Sequence, residues 1–247
     1  MVKTKFALAA AALSAVTMAN AAFWSSTSLD VLVGNNYEYG NDTKSSTVLT
    51  LEHADGWEFG DNYFFFDVSD WEDSDVAVYG EFNPRLSLYK IYNAMSEEEF
   101  TTPIISDVLL SGQIDMGNNF RAYMGGLGVT FDIPGVQYFS VNFMYRDNPE
   151  VDGSTFQITP VWAVPFEIAD IKFVFRGFLD WIGEEGDNPT QVLTQPQLLL
   201  DLGNFWDKPD RLFIGAEYQY WHNKFVYGAD MFFRDENCIQ GMVRWVF

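Results

Sequence analysis

The chain has 247 residues, 48% of them hydrophobic and 17% aromatic, and a formal net charge of −21. With 14 Lys and Arg against 35 Asp and Glu, it lacks the cations that binding to a nucleic-acid backbone or a basic membrane-surface helix requires. A single cysteine, Cys238, excludes an intrachain disulfide framework.

The chain opens on a targeting pattern. Lys3 and Lys5 are followed by the apolar, alanine-rich run Phe6–Met18 and then by Ala19-Asn20-Ala21, a small-x-small site of the kind a signal peptidase cuts. The run is shorter than the roughly 20 residues a membrane helix needs. We therefore divide the sequence into a signal peptide, residues 1–21, and a mature chain, residues 22–247. Loss of Lys3 and Lys5 takes the formal charge from −21 to −23. No later apolar run is long enough for a membrane helix, so a membrane-resident mature chain crosses as strands.

In the mature chain the dominant period is two. Phe23–Gly34 sets Leu29, Val31 and Val33 against Ser28 and Asp30, and Thr47–His53 sets Leu49 and Leu51 against Thr50 and Glu52. Between them Asn35–Ser46 has the composition of a loop. Asp55-Gly56 is a tight-turn signal. The phase of Trp57–Val68 breaks between Phe59 and Phe64, as a bulge near Asp61 would make it. Ser69–Asp75 is an acidic loop.

The clearest stretch is Tyr79–Lys90. Phe82, Pro84, Leu86 and Leu88 share one face, and Glu81, Asn83, Arg85, Ser87 and Tyr89 the other. A soluble sandwich strand alternates too, but Glu81 and Arg85 with an amide, a hydroxyl and a phenol suit the wall of a water-filled pore better. Pro84 removes one ladder donor and implies a missing bond, with a bulge as one way to place it. Ile91–Thr102 leaves a short helix or a long turn open.

The pattern then returns in Pro103–Met116, Phe120–Asp132, Tyr138–Arg146, Ser154–Phe166, Ile171–Ile182, Val192–Leu202, Arg211–Asn223 and Cys238–Phe247. Lys224–Asn237 is expected to be a long loop, with strand extensions around Tyr227–Phe233 as a further option. The tally is about twelve strands of about ten residues, an even number, which defines a transmembrane antiparallel β-barrel. Trp57, Trp162, Trp181, Tyr218 and Trp245 fall towards strand ends, as interfacial girdles do. Alternate connections, mostly acidic, face one side, which makes that side the cell exterior, next to lipid and lipopolysaccharide.

A bore of this size passes a small organic solute. Its polar faces carry Asp30, Glu52, Glu81, Arg85, Asp107, Asp115, Arg146, Lys172, Arg176, Asp180, Asp201, Glu217 and Arg244, with Tyr89, Tyr138, Phe178, Phe213 and Trp221. Both signs occur, so neither a cation nor an anion ring is formed. The candidate solute-binding set is Glu81, Arg85, Ser87, Tyr89, Asp30, Glu52, Arg176, Asp180, Phe178, Glu217 and Trp221. Rings for stacking beside paired donors and acceptors suit a flat, neutral solute such as a nucleoside. The competing description is a wall stiffened by ion pairs that bind only one another, in a plugged receptor or structural barrel whose acidic loops bind partners. With His53 and His222 the only histidines, both on apolar faces, a hydrolase or a zinc site has little support and no cofactor is implied.

The same residues resemble a known family. Asn83-Pro84-Arg85-Leu86-Ser87-Leu88 is similar to the acid-Pro-Arg-aromatic-Ser-aliphatic strand of the nucleoside-specific channel-forming Tsx family, with Asn83 in place of the acid. Tyr123–Gly128, Asp132–Gly135 and Gly177–Trp181 add shorter similarities, and Met242–Phe247 resembles the OmpK-type members. The resemblance implies a monomeric twelve-stranded outer-membrane barrel with a nucleoside-selective lumen. It also implies use by bacteriophage as a receptor, and assembly by the barrel-assembly machinery through the terminal Phe247.

Overall fold

A computed structural model describes residues 22–39, 42–71, 76–96, 100–118, 120–226 and 232–247. The signal-peptide segment, residues 1–21, lies outside the described residues. The strands are β1 (Trp24–Tyr39), β2 (Asp42–Trp57), β3 (Gly60–Trp71), β4 (Ala77–Ser87), β5 (Ile105–Gly117), β6 (Phe120–Phe131), β7 (Tyr138–Asp147), β8 (Thr155–Ile168), β9 (Ile171–Ile182), β10 (Gln191–Thr194), β11 (Gln197–Asp201), β12 (Leu212–Val226) and β13 (Phe232–Val246). Helix α1 (Leu88–Met95) joins β4 to β5, and a 3-10 turn (Gly203–Trp206) leads into β12. All pairings are antiparallel, from β1–β2 through β8–β9 each strand pairs with the next, and β12–β13 and β13–β1 complete the ring, so the sheet closes on itself. β10 and β11 both pair with β9 and with β12 in one unbroken register, and are the two halves of a single stave interrupted at Gln195-Pro196. The barrel therefore has twelve staves.

Its burial is inverted relative to a water-soluble protein. Among the described residues, the fully buried set holds 27 polar or charged side chains against 11 apolar ones. The exposed set includes Val33, Leu110, Leu127, Phe143, Phe156, Leu198, Ile239 and Trp245, each at 48% or more. In water this arrangement would cost hydrophobic free energy at every stave; in a bilayer the closed ladder satisfies the backbone and lipid covers the apolar face. Trp57 and Trp245 stand at the end that holds both termini, here the terminal end, and Tyr145 and Trp181 at the opposite, distal end. That places aromatic rings at both rims.

Several local expectations are corrected. The β2–β3 turn is Glu58-Phe59, with Trp57 paired to Gly60, and Asp55-Gly56 lies inside β2. The Trp24 indole lies over Gly56, with Nε1 2.1 Å from where a Cβ would stand, so a larger residue there would have to displace that ring. The phase break in this region is the turn itself, and β2 and β3 pair without a bulge near Asp61. Strands, not loops, occupy most of Asn35–Ser46 and the described part of Lys224–Asn237, so the tall hairpins β1–β2 and β12–β13 rise at the distal end. Of the strand extensions expected around Tyr227–Phe233, residues 227–231 lie outside the described residues. Each hairpin has a bulge at an asparagine of positive φ, Asn36 (69°) and Asn223 (54°), a conformation Asn adopts at small cost. The first bulge switches the face of β1 and turns Tyr37 inward.

Helix α1 begins at Leu88, three residues before the expected segment. The Ser87 hydroxyl accepts from the Lys90 amide at 3.0 Å and caps it. Tyr89 consequently leaves the strand, and its ring packs edge-on against Phe100, 4.8 Å between centroids.

Pro84 produces no bulge. β4 and β5 keep one register on both sides of it, from Phe82↔Ile114 to Arg85↔Ser111. Asn83 Nδ2 donates to the Gly112 carbonyl at 2.6 Å and supplies a side-chain donor where Pro84 has no N–H, with a second contact to Ser111 Oγ at 3.0 Å. An ionised acid cannot donate this bond. Asn83→Asp is expected to destabilise the barrel by about 1–3 kcal/mol, the cost of an unsatisfied buried acceptor, measured by urea unfolding in detergent. Equal stability of the two proteins would refute this role for Asn83.

Candidate functional site

Antiparallel partners share a face, so the register fixes which side chains enter the bore. Near the terminal end, Arg85 makes a two-pronged bond to Asp61 (2.6 and 2.7 Å) and reaches Ser140 at 3.0 Å, with its guanidinium 5.9 Å from the Tyr138 ring. Towards the distal end, Arg146 donates to Asp115 and Gln157, each at 2.9 Å, and lies 3.9 Å from Glu185. Between these tiers Glu52 takes two arginines. Arg176 donates to both its oxygens at 3.0 and 2.9 Å, and Arg244 binds it while holding Asp30 at 2.8 Å. Arg176 is on β9 and Glu52 on β2, five staves apart by one arc and seven by the other, so this pair crosses the bore.

Aromatic rings line one side of the bore. Tyr63, Phe65, Tyr79 and Phe120 follow one another at centroid separations of 6.1, 5.9 and 6.3 Å. Polar groups run beside this ladder: Tyr63 donates to Glu52 at 3.3 Å, Tyr79 to Glu81 at 2.8 Å, and Gln113 bridges Glu81 and Asp115 at 3.0 and 2.8 Å. An apolar cluster of Leu32, Leu199, Phe213 and Met242 fills part of the opposite wall. The bore is thus narrowed by its own side chains, and its carboxylates outnumber its cations.

Of the candidate set, Glu81, Arg85, Ser87, Asp30, Glu52, Arg176, Asp180, Phe178, Glu217 and Trp221 stand on the inner face. Ser87 is wholly buried and donates to Asp107 at 2.8 Å. Asp180 accepts from Thr159 and Gln157 at 2.5 and 3.1 Å. Glu217 accepts from Gln197 and Gln240 at 2.7 and 2.8 Å. Trp221 donates to Gln191 at 3.2 Å under Lys224. Tyr89 is the exception, placed in α1 beside a small cavity of about 210 Å³ at the terminal end. Tyr63, Phe65, Tyr79 and Phe120 were missing from the sequence-derived set. The alternation Tyr63, Phe65, Asp67 would have revealed the first two, once the turn is put at Glu58-Phe59.

The distal connection Gly183–Thr190 folds back on the bore. Glu185 is 4% exposed and accepts from the Asn148 amide at 2.9 Å. Burial pushes its carboxyl above the ordinary range, against the pull of that amide and of Arg146. Both histidines are on the outer wall. His53 joins Thr27 (2.7 Å) and Asp55 (3.2 Å) and stacks on Phe64, so these polar groups satisfy one another on the lipid-facing side. His222 pairs with Asp235 at 2.8 Å and Asn223 at 3.2 Å, a set without a hydroxyl nucleophile.

A closed barrel with an apolar exterior and a charged bore defines a transmembrane β-barrel of the outer-membrane type. By sequence, the chain belongs to the family described as "Domain of unknown function (DUF5020)", whose model matches residues 25–247. No curated protein matches it. Among solved structures it is similar to the KdgM porin in complex with disordered oligogalacturonate, at 8% identity and a TM-score of 0.51 over 89% of this chain and 99% of that one. It is also similar to the NanC porin, at 15% identity and a TM-score of 0.51 over 88% and 98% of the two chains. At such identities the likeness concerns the fold.

Proposed function

We propose that the protein is a passive channel of the outer membrane for small, uncharged, ring-bearing solutes, with nucleosides the best-fitting class. The aromatic ladder beside a row of carboxylates and amides carries this reading. A base or sugar face stacks on the rings while its edge exchanges hydrogen bonds with Glu81, Gln113 and Asp115, and each stacked ring contributes about 1–3 kcal/mol. The resemblance of the Pro84-Arg85 strand to the Tsx family supports the same class. The oligogalacturonate held by the KdgM porin is acidic, and a solute of that class would meet more carboxylates than cations here.

In this reading residues 1–21 are removed on export and the distal end faces outward. The acidic distal connections then form the surface offered to lipopolysaccharide and phage, and Phe247 is the signal for barrel assembly. Planar-bilayer recording with adenosine and thymidine tests the reading. Millimolar nucleoside is expected to reduce the ion current reversibly, and an unaltered current counts against the proposal. The Arg176–Glu52 crossing favours a second reading, a plugged surface receptor. It predicts no current with or without nucleoside, and phage adsorption that is lost when residues 183–190 are deleted.

A further inference from the structure

Three observations converge on Arg176. First, it is only lightly packed: its side chain is 25% accessible, against 6–7% for Arg85, Arg146 and Arg244. Second, its acceptor is shared. Arg244 also holds Glu52, so withdrawal of Arg176 does not leave a bare buried carboxylate, which is what makes breaking most buried ion pairs so unfavourable.

Third, the wall is deformed where Arg176 is attached. The next residue, Gly177, has φ +154°, and a Cβ there would come within 2.6 Å of the Gln195 carbonyl oxygen and 2.9 Å of Pro196 Cα. Opposite, Gln195-Pro196 interrupts the stave, because proline has no N–H for the ladder. The Phe178 carbonyl takes instead the Gln195 amide at 3.2 Å and the Thr194 hydroxyl at 2.7 Å. The one arginine whose reach spans the bore is therefore anchored at a break in the sheet.

We infer that Arg176 is the residue that controls permeation. Its bridge to Glu52 is a displaceable brace across the bore, which opens when the guanidinium withdraws from Glu52 and leaves that carboxylate to Arg244. This rests on the channel reading and names the residue that sets its conductance and charge preference. With the brace released the bore is wider. With the arginine neutralised, the carboxylates of Glu52, Asp30 and Glu81 dominate and the path prefers cations.

The test is single-channel recording in planar bilayers, with a tenfold KCl gradient, on the folded full-length barrel. Arg176→Gln is expected to raise conductance several-fold and to shift the reversal potential towards that of a cation-selective pore. Lys208→Gln makes the same change of charge on an exposed turn outside the bore and is expected to alter neither. Arg176→Lys keeps a cation on the same stem that can reach Glu52, without disturbing Arg244, and is expected to hold conductance and reversal potential close to those of the unaltered protein, which separates a brace from a loss of fold. If the unaltered protein conducts and Arg176→Gln matches it in both quantities, the brace is overturned and the channel reading stands. If both forms are folded by heat-modified gel mobility yet carry no current, the channel reading falls and the brace with it.

Discussion

Replacing Arg146 by methionine is expected to destabilise the barrel by about 3–5 kcal/mol, the largest effect of any single bore substitution. This is the range for removing one partner of a buried ion pair. Arg146 is 6% exposed and answers Asp115, Gln157 and Glu185 together. Methionine keeps the length of the stem, so the loss is of charge and donors more than of volume. Asp115 would keep only Gln113 Nε2 as a donor, and Glu185 would keep the Asn148 amide. The check is urea unfolding in detergent micelles, followed by tryptophan emission and heat-modified gel mobility. A midpoint within experimental error of the unaltered barrel would refute the assignment of Arg146 as the charge that holds this cluster. Arg146→Lys tests geometry separately: both bonds come from the single nitrogen Nη1, which an ammonium can replace, whereas the Nε contact towards Glu185 is lost, so a smaller loss than for methionine is expected.

The barrel was legible in the sequence because a bore and a bilayer impose opposite demands on alternate side chains. β1, β12 and β13 repeat that rule plainly, and Asp30, Glu217 and Arg244 stand where the alternation places them. Its failures have local causes. Asp55-Gly56 is the stronger turn dipeptide, yet Glu58-Phe59 makes the turn. The resulting slip hid Tyr63 and Phe65, since one residue of phase exchanges the two faces of a strand. Leu88 and Tyr89 continue the alternation of β4 across the point where Ser87 caps a helix, so periodicity alone carries Tyr89 into the wall.

The pairings across the bore were beyond reach for a different reason. Arg176 and Glu52 are 124 residues apart, and their meeting depends on closure and on the register of every stave between them. A reading that assigns faces one strand at a time identifies both charges as inward and cannot say which partner each takes. For the same reason Asn83 looked like a departure from an acidic consensus. Its purpose is apparent only with the Gly112 carbonyl beside it.

The ladder supplies the sharpest test of solute recognition. Tyr79 is its third ring, between Phe65 and Phe120, and Tyr79→Ala separates Phe120 from the Tyr63–Phe65 pair. At about 1–3 kcal/mol per stacked ring, and tenfold for each 1.4 kcal/mol, nucleoside block of the ion current is expected to weaken by about 5- to 140-fold. Conductance without nucleoside should change little, because the Arg176–Glu52 brace lies on other staves. Tyr79→Phe keeps the ring and loses only the bond to Glu81, which retains Gln113 as a donor; its block should stay close to that of the unaltered protein. This contrast separates stacking from hydrogen bonding, and each from a general loosening of the wall, which would raise conductance in both variants. Undiminished block in Tyr79→Ala would show that the solute path runs along another wall, leaving the four rings as packing between β3, β4 and β6.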